Sequence, residues 1–172
     1  MNIRRLNKGM QLRPAIQDDL PTILDIYNEA VLNTTASYDY EPRTLEHREA
    51  WFEQHQAQGL PILVALGAPG QVVGWGSLSR YHDRKGYQFT VENSVYVAAA
   101  HRGGGVGTAL LAPLIEEARQ LGMHVIVAGI DGENQPSVAL HTRFGFVTVG
   151  RFKEVGFKFG RWLDVIYMQR TL

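Results

Sequence analysis

The segment that most constrains this chain runs from residue 87 to residue 130. An alternating stretch, Tyr87–Val97, leads into HRGGGVGTAL at residues 101–110. A helical pattern over Thr108–Leu121 follows, closed by Gly122, and then the apolar run VIVAGI at Val125–Ile130. Strand, glycine loop, helix and buried strand in that order form a crossover unit. Strands joined in this way lie parallel, and the crossover is right-handed. Glycine loses more backbone freedom on folding than any other residue, so Gly103, Gly104, Gly105 and Gly107 at one helix start need a reason. A helix N-terminus offers one: unpaired N–H groups, the positive end of the dipole, and, with glycine, direct access of an anion to the backbone. The alternative is a glycine-rich loop that holds no ligand.

The loop is not a P-loop, because Gly107 is followed by Thr108 with no lysine between them. Nor does it fit the dinucleotide fingerprint. Counted from Gly103, the sixth position is Thr108, and no acidic residue is well placed to hold a ribose. A phosphate cradle of another kind and a loop that holds no ligand are the readings that remain, and the strand before, helix after and buried strand beyond favour the cradle.

The rest of the chain supplies the frame. Gln11–Ala15 is a short strand. Asp18 offers an N-cap and Pro21 a first-turn proline for a helix over Asp19–Leu32. A polar loop, NTTASYDYEP (33–42), separates it from a second helix, Leu45–Gln58, capped by Thr44 and ended by Gly59. Strands follow at Ile62–Leu66 and Val72–Ser79, with the turn GAPGQ between them and the charged hairpin tip RYHDRKG at Arg80–Gly86 after them. Beyond the crossover unit come a short helix, Pro136–Phe144, and strands at Phe146–Phe159 and Trp162–Gln169. The order β-α-α-β-β-β-α-β-α-β-β predicts an α/β (α+β) fold: a mixed sheet with helices on both faces. It occupies one domain over residues 10–172, and residues 1–9 read as a loose extension.

Composition excludes several classes. Lys plus Arg and Asp plus Glu are both 17, so no global field draws the chain to nucleic acid or to anionic membrane. No apolar run reaches membrane-spanning length, and MNIRRLNKGM has no apolar core of a secretory signal. A cytoplasmic protein is expected. Without cysteine there is no disulfide, no thiolate metal site and no cysteine nucleophile. The six histidines form no metal-binding pair, so no metal is expected.

Arg102-Gly-Gly-Gly105-Val-Gly107 resembles the Arg/Gln-x-x-Gly-x-Gly/Ala signature of the GNAT acetyltransferase superfamily. Asn134-Gln-Pro-Ser137 with His141 and Phe144-Gly-Phe146, about 30 residues on, resembles its second CoA segment. The element order fits the GNAT fold from about residue 10 onward. Three further stretches, Asn33-Thr-Thr-Ala-Ser37, Phe89–Val97 and Glu154–Asp164, resemble the phosphinothricin and methionine sulfoximine N-acetyltransferase branch. The resemblance implies acetyl-CoA as acetyl donor and the α-amine of a small amino-acid analogue as acceptor. It implies that Arg102, Gly103, Gly104, Gly105, Val106, Gly107 and Thr108 meet the diphosphate. Val95, Tyr96 and Val97 would pair with the pantetheine arm as an added strand, and Asn134 would meet the same ligand. Ser137 is a further contact or only a helix cap. Arg102 touches phosphate or is solvated. The resemblance also suggests a homodimer through the C-terminal strands.

Along Tyr87–Val97 the odd positions are mostly apolar and the even ones polar or amphipathic, so one face belongs to the core. Glu92 stands mid-strand on the other face. On the residues alone it reads as a solvent-facing carboxylate; with the resemblance it becomes the expected general base. An amine attacks a thioester only when neutral, and a partly dry carboxylate can take the proton directly or through water. A strand N–H near Val95–Val97 would meet the developing oxyanion. Transfer should be direct, since there is neither a cysteine nor a Gly-x-Ser-x-Gly elbow. His141 stands where family members often carry a tyrosine that protonates the thiolate. As imidazolium it could do so; a hydrogen bond to CoA and a structural role are the alternatives. For the acceptor's carboxylate, Arg80 is the expected cation because a guanidinium fork suits a carboxylate. His82, Thr34, Thr35, Tyr38, Asn93 and Ser94 are expected near the acceptor, and Trp75 and Trp162 as packing residues. Acetylation of a protein N-terminus, a lysine or another small amine is the second reading. A non-catalytic acyl-CoA sensor is the third.

Overall fold

The computed structural model describes residues 4–5, 10–68 and 70–172. In chain order the elements are β1 (Arg4–Arg5), β2 (Gln11–Pro14), α1 (Leu20–Asn33), α2 (Leu45–Gln58), β3 (Ile62–Leu66), β4 (Val72–Arg80), β5 (Thr90–Val97), α3 (Val106–Gln120), β6 (Val125–Asp131), α4 (Gln135–Arg143), β7 (Val147–Lys158) and β8 (Arg161–Thr171). They build one sheet in the order β1-β2-β3-β4-β5-β6-β8-β7. Every pairing is antiparallel except β5 with β6, the crossover pair. Within the expected extension, Arg4 and Arg5 pair with Leu12 and Gln11; the other residues of 1–9 lie outside the described residues.

Two boundaries depart from the sequence reading. The residue before α1 is Asp19, not Asp18. Its carboxylate turns back to accept from the Ile16 amide at 2.8 Å and from Arg13 at 2.6 and 2.8 Å. The strand expected from Tyr87 begins only at Thr90. Residues Lys85–Tyr87 form a 3-10 turn, closed by Tyr87 N–H to the Arg84 carbonyl and Gln88 N–H to the Lys85 carbonyl. That turn sends Tyr87 outward, where it packs on Tyr81 and His82 instead of entering the core.

The sheet carries a core on each face. On one, α3 buries Val106, Leu110, Leu111, Leu114 and Ala118 against β3, β4, β5 and β6. Gly74 and Gly76 on β4 permit the close approach. A Cβ at either would stand 2.8 Å from Val106 Cγ1 or Leu114 Cδ1, too near for any real side chain. On the other face, α1 and α2 bury Leu20, Ile23 and Phe52 against Val64 and Trp75. Strand β5 divides its side chains accordingly. Val91 and Val95 join the α3 core, and Tyr96 joins the α1/α2 core.

The feature that positions the site is a parting of strands. Pairing of β5 with β6 covers Thr90–Val125, Val91–Ile126 and Glu92–Val127. Beyond those, β5 stays paired with β4 as far as Val97, and β6 with β8 as far as Asp131. A cleft therefore opens immediately after Glu92, with unused strand edges on both sides.

Candidate active site

The glycine loop closes the far end of that cleft. Gly103 and Gly105 adopt φ of 75° and 89°, left-handed geometry that an L side chain resists. Gly107 has another reason: a Cβ there would stand 3.1 Å from Leu140 Cδ2 of α4, so its bareness seats the two helices. The first bonded amide of α3 is that of Ala109, to the Gly105 carbonyl at 3.0 Å. The amides of Gly103, Gly105, Val106, Gly107 and Thr108 meet no acceptor among the described residues. Five free donors at a helix N-terminus are suited to phosphate oxygens. Arg102 is partly engaged: its Nε donates to the Val97 carbonyl at 3.1 Å and its guanidinium pairs with Glu29 of α1. Asn134 accepts from the Ser137 amide at 3.2 Å as the N-cap of α4, so its amide nitrogen remains for a ligand.

Glu92 stands where β5 and β6 part. Burial pushes the pKa of its carboxyl up, and the Gly129 amide across the opening opposes that shift without cancelling it. A Cβ on Gly129 would lie 3.4 Å from Glu92 Oε1. Tyr167 of β8, opposite Gly129, has its hydroxyl pushed up by burial and by the charge of Glu92. Glu92 is therefore a half-buried carboxylate with no cation bonded to it among the described residues, which disposes it to take up a proton.

His141 lies elsewhere. It is buried on α4, on the α3 side of the sheet, and its ring packs edge-on to Phe146. Nδ1–H donates to the Ser137 carbonyl at 2.8 Å, and Nε2 accepts from the Asn93 amide at 3.0 Å. Burial pushes its pKa down. This geometry satisfies the neutral ring. The imidazolium, one of the three roles open to His141 from the sequence, would need a second N–H where Asn93 already donates, so the Asn93 amide would have to turn over. Asn93 itself is placed on this face, buried, and not beside Ser94 in the acceptor region.

On the Glu92 face a cavity of about 210 Å³ lies between α1, α2, β4 and β5. Ser94 lines it; Arg80 does not. Arg80 pairs with Val91 and shares that residue's face, whereas Ser79 pairs with Glu92. The alternation of the strand therefore turns Arg80 away. His82 is exposed at the hairpin tip, its Nδ1 accepting from the Arg84 amide at 3.3 Å. Thr34 spends its hydroxyl on the end of α1, donating to the Ala30 carbonyl and accepting from the Ala36 amide. Thr35 is half-buried in the same loop. Tyr38 donates to the Asp164 carbonyl at 2.9 Å and stands 3.1 Å from Asp131 Oδ2. Lys158 is buried and donates to the carbonyls of Thr34 and Ser37 at 2.9 and 2.6 Å. The 34–40 loop is thus fastened to the β7–β8 hairpin, and Tyr96 reaches it through a hydrogen bond to the Ala36 carbonyl.

Sequence reasoning missed the buried arginine of this cavity, Arg48 of α2; the other arginine lining it, Arg43, is exposed and paired with Asp39, and Trp75, expected as a packing residue, also walls it. The signal was present: Arg48 shares a helical stripe with Trp51, Phe52 and His55, so a charge sits on a buried face.

With that geometry in place, the comparisons are coherent. The acetyltransferase (GNAT) family model matches residues 22–146. An L-methionine sulfoximine/L-methionine sulfone acetyltransferase of Pseudomonas aeruginosa is 49% identical over 161 residues, 94% of each chain. A ribosomal-protein-alanine N-acetyltransferase structure from Brucella melitensis superposes with a TM-score of 0.91 at 47% identity, covering 94% of this chain and 99% of that one. A GNAT phosphinothricin acetyltransferase from Sinorhizobium meliloti, solved in complex with acetyl-CoA, gives 0.93 at 40%, covering 95% and 88%. The fold and its cleft are those of an acetyltransferase. The chain belongs to the GNAT family.

Proposed function

We propose that the protein moves the acetyl group of acetyl-CoA directly to the α-amine of a small amino acid or analogue, of the methionine sulfone, methionine sulfoximine or phosphinothricin type, with Glu92 as general base. The observation that carries this reading is the burial of Glu92 at the point where β5 and β6 part, in line with the free amides of the glycine loop. The amides of Gly103, Gly105 and Val106–Thr108 would hold the diphosphate. The open edges of Val95–Val97 would hold the pantetheine arm. Acetyl-CoA supplies the acetyl group as a thioester: a bond forms from nitrogen to the carbonyl carbon, the carbon–sulfur bond breaks, and the thiolate leaves. The nitrogen loses two protons: Glu92 takes the one that the ammonium must lose before it can attack and passes it to solvent, and the second, lost as the amide forms, goes to the departing thiolate or to water. His141, neutral and bonded to Asn93, braces β5 from behind and is not the proton donor to sulfur.

The relatives named for small amino-acid analogues support this acceptor class. The neighbour named for a ribosomal-protein alanine favours a second reading, an N-terminal peptide amine. Release of CoA thiol, read with a disulfide reagent, separates them, and the absence of cysteine leaves no background from the protein. Turnover of methionine sulfone or phosphinothricin is expected. Turnover of peptide alone would reject the first reading, and tight CoA binding without turnover would reject catalysis.

The protein is further proposed to act as a cytoplasmic homodimer, cytoplasmic because acetyl-CoA is at hand there. Val147, Val149, Phe152, Val155, Phe157 and Trp162 on β7 and β8 are each 44–63% exposed, and β7 is an edge strand. A second copy covering that strip removes both liabilities. Light scattering should give twice the chain mass, and Phe157→Glu should halve it. A wild-type monomer would refute the dimer.

A further inference from the structure

Arg48 is an arginine without an anion. It is 4% exposed, its guanidinium carbon stands 4.7 Å from the Tyr27 ring, 4.5 Å from that of Trp51 and 5.3 Å from that of Trp75, and it lines the cavity beside Glu92's face. No carboxylate or carbonyl accepts from it among the described residues, and its Nε is buried without a partner. Trp75 Nε1, in the same wall, is also buried and unpartnered. Among the described residues the hydroxyls of Ser77 and Ser94 face the same space with no partner, Arg43 lines it with its guanidinium already paired to Asp39, and no carboxylate lines it. Aromatic faces stabilise a guanidinium but satisfy none of its N–H groups. A buried charge left in this state is costly unless a ligand completes it. A cavity with surplus donors and no anion of its own selects an occupant rich in acceptor oxygens.

Position along the sheet says which oxygens. Glu92 faces Ser79 across the ladder, and Tyr96 faces Trp75. Those two pairs are four residues apart, about 13 Å along the strand. Arg48 lies at the Trp75 end. An α-carboxylate hangs on the same carbon as the reacting amine, so its oxygens stay within about 3 Å of the nitrogen; a head group two carbons further reaches about 6 Å.

We propose that Arg48, with Trp75 Nε1, reads the side-chain head group of the acceptor: a tetrahedral sulfur or phosphorus centre carrying two hydrogen-bond acceptor atoms, both oxygen in a sulfone or phosphinate, oxygen and imine nitrogen in a sulfoximine. The inference rests on the amino-acid reading of the acceptor given above. Arg48 is then a specificity residue, and Glu92 keeps the chemistry.

The test is kcat/KM for L-methionine sulfone against L-norleucine, which has a chain of similar length and no oxygens on it. Wild type should prefer the sulfone by at least about 100-fold, as expected when buried donors would otherwise lie unpaired. Arg48→Gln should cut that ratio about 10–100-fold, chiefly through loss of sulfone turnover and with acetyl-CoA affinity held, and Arg48→Lys should fall between. A wild-type ratio near one overturns the proposal without any variant having to fold. So does a ratio the variant leaves intact, or a loss shared equally by both acceptors, which would mark Arg48 as structural or as a reader of the α-carboxylate. If neither amino acid is acetylated and only peptides are, the acceptor reading falls and takes this inference with it. Those outcomes are distinguishable by the peptide arm of the same assay.

Discussion

Gly156→Ala should unseat the 34–40 loop without touching the cleft between β5 and β6. Gly156 sits in the irregular stretch of β7 between Phe152 and Gly156, where the chain bulges and Asp164 Oδ1 accepts from the Glu154 amide at 2.8 Å. Its φ is not left-handed, so alanine carries no backbone penalty there. The conflict is purely steric: a Cβ would stand 2.4 Å from Tyr38 Cε2 and 2.7 Å from Cδ2. The ring must leave, and its hydroxyl then loses the Asp164 carbonyl and the buried Asp131 carboxylate. The hydroxyl has one proton to share between the two acceptors, so one hydrogen bond at about 1 kcal/mol, with about 1–3 kcal/mol of residual overpacking, gives a loss of about 2–4 kcal/mol. In a chain of this size that lowers the melting temperature by about 5–15 °C. KM for the acceptor should rise while acetyl-CoA affinity holds, because the glycine loop shares no contact with Tyr38. The decisive assay is a double-mutant cycle by thermal or urea unfolding. In a Tyr38→Ala background the same Gly156→Ala change should cost less than about 0.5 kcal/mol, since nothing remains to collide with. An equal cost in both backgrounds, or a melting temperature unchanged in wild type, would show that the bulge yields instead and that the ring does not fix the loop.

Other expectations follow from the same geometry. Glu92→Gln should lower kcat/KM by about 10²–10⁴-fold with CoA binding intact, and should erase an acid limb that lies above the ordinary carboxylate range; wild-type rates at low pH would dismiss the base. The sign for stability is opposite. Because burial raises the folded pKa of Glu92, the native state binds that proton more tightly than the unfolded chain. Stability therefore falls as pH rises from the ordinary glutamate value through the folded one, and Gln should remove that slope. Gly105→Ala, forced to φ near 89°, should cost about 1–2 kcal/mol and weaken CoA in calorimetry, whereas no change would remove the loop from the cradle. His141→Gln should cost stability, through the lost Asn93 partner, more than it costs kcat; a kcat loss with unchanged melting would restore His141 as a proton donor.

The crossover unit was legible in the sequence because each of its parts has a local cause. Alternation in 90–97, glycines with left-handed φ at 103 and 105, and the apolar run at 125–130 are written in neighbouring residues. The acceptor side was not, because its contacts join segments far apart in the chain. Tyr38 meets Asp164 across 126 positions and Lys158 meets Thr34 across 124, so two stretches noticed separately, 33–37 and 154–164, are one structure. Arg80 failed for a different reason. Proximity in a hairpin was taken for proximity in space, but the pleat sends neighbouring side chains to opposite faces, and Arg80 falls with Val91. The same alternation separates His141 and Asn93 from Glu92. A strand with a buried amide on one face and a buried carboxylate on the other can hold the acid–base group still from behind while leaving its front open. In the proposed reaction that division would let one carboxylate suffice, since a thiolate can depart without a proton, and would put the residues that choose the acceptor on α2 and β4 rather than beside the glycine loop.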